Sequence, residues 1–517
     1  MKKTSKLLAL ALSLSMLLAG CGGPASSSSS QGSSSSDNGP KTQKDTIVFS
    51  PRLDFATMDV QNTPSIVTKS IYYLVYNTLV ERDVETNEII PALAESWEQV
   101  SSTEITFKLR EGVKFHDGSD FVAEDVKFTY EMAKESNGSS AKVASIESIE
   151  TPDEHTVTLK LNKPNMDILD ILTDTSLSIL SKNAFETLGE EKGIQQGTGP
   201  YKYVEWEQGV YLDLTANEDY WGGAPATKNL RVKYVAETSA RLIGVETGEL
   251  DFCQDPPSSE LANIEASDEL DLVTYPGATV AFLALNVNEA PLDNPDVRHA
   301  IAYALNRQDI IDGAYLGNAT PLNNIMHSSN EYYSEIDAIE YDPDKAIELL
   351  KKAGYEDGLE LTLATNTTSE SQAAATVIQA LLGQVGITVK IELLENATMT
   401  TVMSSGTGYH LGFSRWSGYA FGPDGGIREL LHSEGSNNYG HLNDAKMDQM
   451  IDEALTIEDH DARVAAYKEI EEYSDELMAI YPVLVENYTY AVRKSVENLT
   501  QPNGPIQDFR NLIAYEE

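Results

Sequence analysis

Apolar residues recur along this chain with two periods, every second residue or every third to fourth, and the predicted elements follow in strand–helix order. In "TEITFKLREGVKFHDGSDF", Ile105, Phe107 and Leu109 alternate with polar neighbours, and Glu111-Gly112 and Asp117-Gly118 mark turns. That predicts strand, turn, short strand, turn. "EHTVTLKLNKP" repeats the alternation at Val157, Leu159 and Leu161. Between them, "AEDVKFTYEMAKE" has helical spacing at Val126, Tyr130 and Ala133, which completes a small α/β unit.

Further along, "TSARLIGVETGELDF" predicts a helix stopped by Gly248 and followed at once by a strand. "NPDVRHAIAYALNRQDIIDGAYLG" opens with Asn294 as N-cap and Pro295 at the first helical position, ahead of a stripe at Val297, Ala300, Ile301, Ala304 and Leu305. "YDPDKAIELLKKAGY" uses the same device with Asp342 and Pro343, and Gly354 ends it. A strand over Leu359 to Thr365, a helix near Ser371 to Val385 and the strand "ITVKIELL" imply a second α/β lobe. "DARVAAYKEIEEYSDELMA" predicts a late amphipathic helix and "IYPVLVENYTYAV" a strand after it. No repeat at a 20–50 residue period is visible.

Length and charge narrow the class. A folded body of about 470 residues exceeds one core, so two or three domains are expected. The formal charge is −44, from 37 Lys+Arg against 81 Asp+Glu. So acidic a body argues against nucleic acid as a partner and against electrostatic attachment to anionic lipid.

At the N-terminus, Lys2, Lys3 and Lys6 precede an apolar run from Leu7 to Ala19, too short to span a bilayer as a helix. With "LLAGC" at its end it resembles a bacterial lipoprotein signal, which implies a signal peptide over 1–20 and lipidation of Cys21. Two acyl chains, each CH₂ contributing about 0.8 kcal/mol when buried, would anchor the chain stably. The Ser/Gly-rich segment 21–44 has too little apolar surface to fold. It is expected to act as a flexible tether spanning about 25 Å. Cys253 in "LDFCQD" is expected to be a small buried residue on a strand, and no intramolecular disulfide is expected.

No catalytic constellation is present: H-E-x-x-H, C-x-x-C, G-x-S-x-G and G-x-x-x-x-G-K-[ST] are all missing. His116 in "KFHDG" is expected to be a solvated turn residue, and the eight histidines show no metal-ligand spacing. Neither a cofactor nor a metal site is expected.

The block "PALAESWEQVSSTEITFKLREGVKFHDGSDFVAEDVKFTYE" resembles the signature of family 5 extracellular solute-binding proteins, the receptors of oligopeptide, dipeptide and nickel ABC importers. "GTGPYKYVEW", "YWGGAPATKNLRVKYV", "LNVNEAPLDNPDVRHAIAYALNRQDII", "YDPDKAIELLKKAGY" and "MAIYPVLVENYTYAV" extend the resemblance, in the family's order, through most of residues 45–517. Val122 departs from the family's usual Thr or Ser cap.

The resemblance implies an α/β, two-lobed periplasmic-binding-protein-like fold of type II with three domains. Domain I would comprise 45–80, 197–285 and 485–517, domain II 81–196 and domain III 286–484. "AFLALNV" and "YPVLVENY" would be the crossing strands of the hinge, and closure around a solute the working motion. It also implies a monomer, lipid-anchored on the extracytoplasmic face, whose partners are a small solute and membrane permeases. The expected solute is an oligopeptide or dipeptide; an oligosaccharide or metal chelate is the alternative. A signalling receptor or a surface hydrolase are rival roles.

In such receptors a peptide lies extended, held by main-chain hydrogen bonds. Its α-ammonium needs an acidic partner to offset desolvation. In peptide-binding relatives that partner is an Asp three residues beyond a tryptophan. In "SRWSGYAFGPDGG" the position three beyond Trp416 is Tyr419. Three readings follow: Asp424 takes over the charge; the ligand lacks a free amine and stacks on Trp416 and Tyr419; or a gap shifts the alignment. Arg415, the other charge of this stretch, is a further candidate. Arg52, Asp54 and Met58, after the first strand, are placed near the opening. Asn437, Asn438 and Tyr439 could offer adaptable donors, and Tyr439 and Asn443 resemble a segment that helps close the pocket.

Overall fold

Two strands far longer than the usual five or six residues organise the molecule. Leu270–Leu285 and Ile480–Arg493 lie antiparallel at the centre of an eleven-stranded mixed sheet. The computed structural model describes residues 42–62, 66–416, 422–500 and 507–516. The leader, Cys21 and nearly all of the tether therefore lie outside the described residues.

The long strands pair from Leu270 with Arg493 to Pro276 with Asn487, and after an irregularity from Val280 with Val485 to Ala284 with Ile480. The break falls where the sheet changes partners. On one side Phe252–Gln254 pairs with the second long strand, followed by Thr46–Ser50, Asn229–Lys233, Tyr211–Ala216 and Tyr201–Glu207. On the other, Leu411–Trp416 pairs with the first long strand, followed by Leu359–Asn366 and Ile387–Leu394. Gly277 sits at the break, where a Cβ would lie 2.7 Å from the Glu486 carbonyl oxygen, so only glycine permits this approach.

Strand periodicity explains why the first long strand is apolar from Val280 to its end. Ala281, Leu283 and Leu285 join a core with Val297, Ile301 and Ile378. The alternate residues Val280, Phe282 and Ala284 join a different core, with Ile427, Ile451 and Ile470. Helices thus cover both faces, and both sets of side chains are buried.

The α/β unit expected near residue 105 exists. Ala94–Ser101, Glu104–Leu109, Thr156–Leu161 and Ile146–Asp153 form a four-stranded antiparallel sheet in that spatial order. Ile105, Phe107, Leu109, Val157, Leu159 and Leu161 share its core with Val126 and Tyr130 of helix Ala123–Glu135. Val122 contributes no side-chain cap, and Asp125 Oδ2 instead accepts from the Val122 amide at 2.9 Å. The caps at Asn294 and Asp342 form as expected, accepting from the amides of Asp296 and Lys345. The short strand after Gly112 is reduced to a single bridge, Lys114 with Asp120.

His116 corrects its sequence reading. It is half-buried rather than a solvated turn residue: its amide donates to the Gly197 carbonyl and its Nε2 lies 3.0 Å from the Gly199 carbonyl oxygen. Burial lowers its pKa to about 4, only partly opposed by the Gly199 contact. Cys253 is fully buried on the strand Phe252–Gln254, and burial pushes its thiol up to about 12.

Candidate functional site

The carboxyl ends of the parallel strands Thr46–Ser50 and Phe252–Gln254 deliver Arg52 and Asp255 side by side, the usual place for a ligand in an α/β sheet. Arg52 Nη1 is 3.9 Å from Asp255 Oδ2, and its guanidinium lies 5.8 Å from the Tyr488 ring centre. Gln254 Oε1 accepts from the Arg52 amide at 3.2 Å and fixes the turn. Asp255 adopts φ 49, a left-handed conformation that Asp tolerates better than most residues.

A second pair faces the cleft from the other half of the sheet. Arg415 Nη1 donates to Glu486 Oε1 at 2.9 Å, bridging Leu411–Trp416 and the second long strand just beyond the register break. Burial works against the Arg415 charge, but the Glu486 carboxylate outweighs it and its pKa stays raised. The two pairs sense each other. Burial pushes Asp255 up to about 6; Arg52 and Arg241 oppose that rise, while Glu486 and Glu370 add to it.

Beside these charges lies a small recess, with room for little more than a water molecule or two. Phe49, Phe252, Phe509, Tyr488 and Tyr490 line it, with Ser50, Ser70, Gln254 and Gln507 as its polar wall. The rings of Phe49 and Phe252 stack with centres 4.8 Å apart, and Phe509 packs on both.

The candidates named from sequence divide into three groups. Arg52 and Arg415 belong to this charged cleft. Trp416 ends its strand, its ring packs partly on the neighbouring core, and its Nε1 donates to the Gly425 carbonyl at 3.1 Å. It thereby ties the end of the strand Leu411–Trp416 to the helix Pro423–Leu431. Tyr419 lies outside the described residues; Asp424 falls in the first turn of helix Pro423–Leu431, its side chain likewise outside the description.

The third group makes local contacts. Asp54 Oδ2 accepts from the Gly209 amide at 2.8 Å and secures a hairpin turn. Tyr439 is buried in the core, its hydroxyl donating to Asn437 Oδ1 at 3.0 Å. Asn437 is held in turn by its amide donating to the Glu429 carbonyl. Asn438 is buried and bonds the backbone of His432 and Leu442. Met58 is a core residue of the other half.

Asp255 and Glu486 were not singled out from sequence. One signal was available for Glu486: it is the lone charge inside an apolar run that has to cross the centre of the sheet.

Among the described residues no group of His, Cys, Asp or Glu is arranged to hold a metal, and no helix is long and apolar enough to cross a membrane. A charged, aromatic-walled cleft thus lies between the halves of a sheet joined by two crossing strands, an arrangement suited to holding a small solute.

Comparison with known proteins agrees. The model of bacterial extracellular solute-binding proteins, family 5, matches residues 88–438. Glutathione-binding protein GsiB of Shigella dysenteriae is 29% identical over 466 residues, covering 87% of this chain and 91% of that protein. HbpA2 from Haemophilus parasuis superposes with a TM-score of 0.83 at 25% identity, covering 91% of this chain and 100% of that one. The periplasmic binding protein DppA from Helicobacter pylori, solved with the peptide STSA, gives 0.78 at 27% identity, with 91% and 98% covered.

The chain belongs to the family 5 solute-binding proteins: extracytoplasmic receptors that bind a small solute and deliver it to the permeases of an ABC importer, with no enzymatic role.

Proposed function

We propose that the solute is a short peptide, captured between the two halves of the sheet and released to the permeases. The observation that carries this reading is the juxtaposition of Arg52 with Asp255 and of Arg415 with Glu486 in one cleft. Guanidinium and carboxylate groups of both signs suit a zwitterion, whose termini need one partner of each. The relatives named for glutathione and solved with a tetrapeptide support the same class.

In this reading Arg52 and Arg415 contact ligand directly, while Trp416 positions the segment carrying Tyr419 and Asp424. The receptor divides into three domains at the boundaries expected from sequence, moves by hinge closure at the register break, and is held as a monomer at the membrane by lipid on Cys21. Metabolic labelling with palmitate, lost in Cys21→Ser, tests the anchor.

Calorimetric titration of residues 22–517 with di- and tripeptides, glutathione, an oligosaccharide and a nickel–histidine chelate tests the ligand class. The expected result is micromolar or tighter binding of peptides alone. Saturable binding of the saccharide or chelate, with none of the peptides, overturns it.

A further inference from the structure

Residues 286–479 are joined to the rest of the chain only through the two long strands, Leu270–Leu285 before them and Ile480–Arg493 after them. Any other contact between that stretch and the residues before the first long strand must be made and broken when the crossing strands flex. Four such contacts, among the described residues, gather in one place.

Helix Ile168–Leu172 explains one side of it. Ile168 and Leu172, four residues apart, both sink into the core of the four-stranded sheet. Asp167 and Asp170 meet guanidinium groups instead, Arg463 of helix His460–Leu477 and Arg82 at the end of strand Val80–Arg82. On the facing side, Arg463 Nη1 donates to the Tyr332 hydroxyl at 3.1 Å, and the guanidinium lies 4.4 Å from that ring's centre. Arg82 Nη2 is 3.9 Å from Glu331 Oε1, and Asn87 Nδ2 donates to the Ser329 carbonyl at 2.6 Å. The Met166 amide donates to the Leu455 carbonyl at 3.3 Å. Behind the loop that carries Ser329, Glu331 and Tyr332, the Glu471 carboxylate accepts from the amides of Ile325 and Met326 and pins it.

These contacts use none of the four charges of the candidate site. Burial lowers the pKa of both Arg82 and Arg463, so each charge is held at a cost in lost water. An intact buried ion pair roughly offsets that cost, whereas removing one partner leaves the other charge uncompensated. The junction therefore adds little to closure of its own accord, but closure requires the pair to be whole.

Resting on the hinge closure proposed above, we propose that Asp167 and Arg463 are the centre of a clasp. The unit built on the four-stranded sheet docks onto helix His460–Leu477 each time the cleft closes. The closed population, and with it solute affinity, is then set by residues that do not touch solute.

The test is double electron–electron resonance, without solute, on residues 22–517 spin-labelled at Glu98→Cys and Glu469→Cys. Both positions are exposed, and the native Cys253 is buried. Asp167→Asn strands the Arg463 charge in the closed form alone, while Asp167→Leu with Arg463→Met removes both charges. The expected result is a short and a long distance, with the long-to-short ratio at least about tenfold higher in Asp167→Asn than in the double variant. Two populations in the same ratio in the wild type and both variants would sink the clasp and leave the hinge reading standing. One identical distance in all three proteins would mean that the halves do not separate, and the hinge reading would fall with the clasp.

Discussion

Arg463, on helix His460–Leu477, forms an ion pair with Asp167 from a segment 296 residues away, and the two side chains are only 2% and 1% exposed. A second pair, Arg82 with Asp170, lies beside it. Gly422, which follows segment 417–421, packs against both acids: a Cβ there would lie 3.3 Å from Asp170 Cβ and 3.4 Å from Asp167 Cγ. The N-cap of helix Pro423–Leu431 therefore sits on buried charge contributed by a distant part of the chain.

Breaking one side of such a pair leaves a charge buried without compensation, which costs about 3–5 kcal/mol. Arg463→Met should lower unfolding stability by that order, and adding Asp167→Leu should restore part of it. Urea unfolding of both variants checks this. Additive losses in the double variant would show that the two side chains act independently.

Asp255 gives a pH dependence with a definite sign. Burial holds its pKa at about 6 when folded, against the facing Arg52 and Arg241 and with help from Glu486 and Glu370. The unfolded value is about 3.9. A raised folded pKa means that its stabilising share is full below the unfolded value and is lost as pH rises through 6. Asp255→Asn should therefore raise the melting temperature at pH 7.5 and leave it nearly unchanged at pH 3. Scanning calorimetry at both values is the measurement; an equal shift at each contradicts the assignment.

Gly277→Ala should strain the register break, since the new methyl carbon would sit 2.7 Å from the Glu486 carbonyl oxygen. A loss of about 1–3 kcal/mol is expected, together with altered solute affinity, because the same backbone carries Glu486. Urea unfolding and calorimetry on the variant read the two effects.

Much of this was legible in the sequence because one side-chain pattern fixes one surface. The two-residue period at Ile105, Phe107 and Leu109 and the capped stripes after Asn294 and Asp342 each state which face must be buried, and the structure buries it. Long strands were legible as runs, though not their shared register. The charged cleft was harder to see because its members meet only through the fold: Arg415 and Glu486 lie 71 residues apart, and Asp255 follows a strand only three residues long. Tyr439 misled in the opposite direction. Its polar neighbours look like a loop, but the side chains of Asn437 and Asn438 satisfy local groups and leave the ring for the core.

Cys253 should be inert in the native chain, since it is fully buried and its thiol is pushed up to about 12. Residues 22–517 should show no thiol reactive towards a disulfide reagent until denatured, and then one. Labelling before denaturation would contradict the burial of Cys253 on the strand Phe252–Gln254.

The most direct test of the central claim is mass spectrometry of the small molecules released by denaturing the receptor purified from its native host. Short peptides are expected among the released molecules. Recovery of a saccharide or a metal chelate in place of peptide would contradict it.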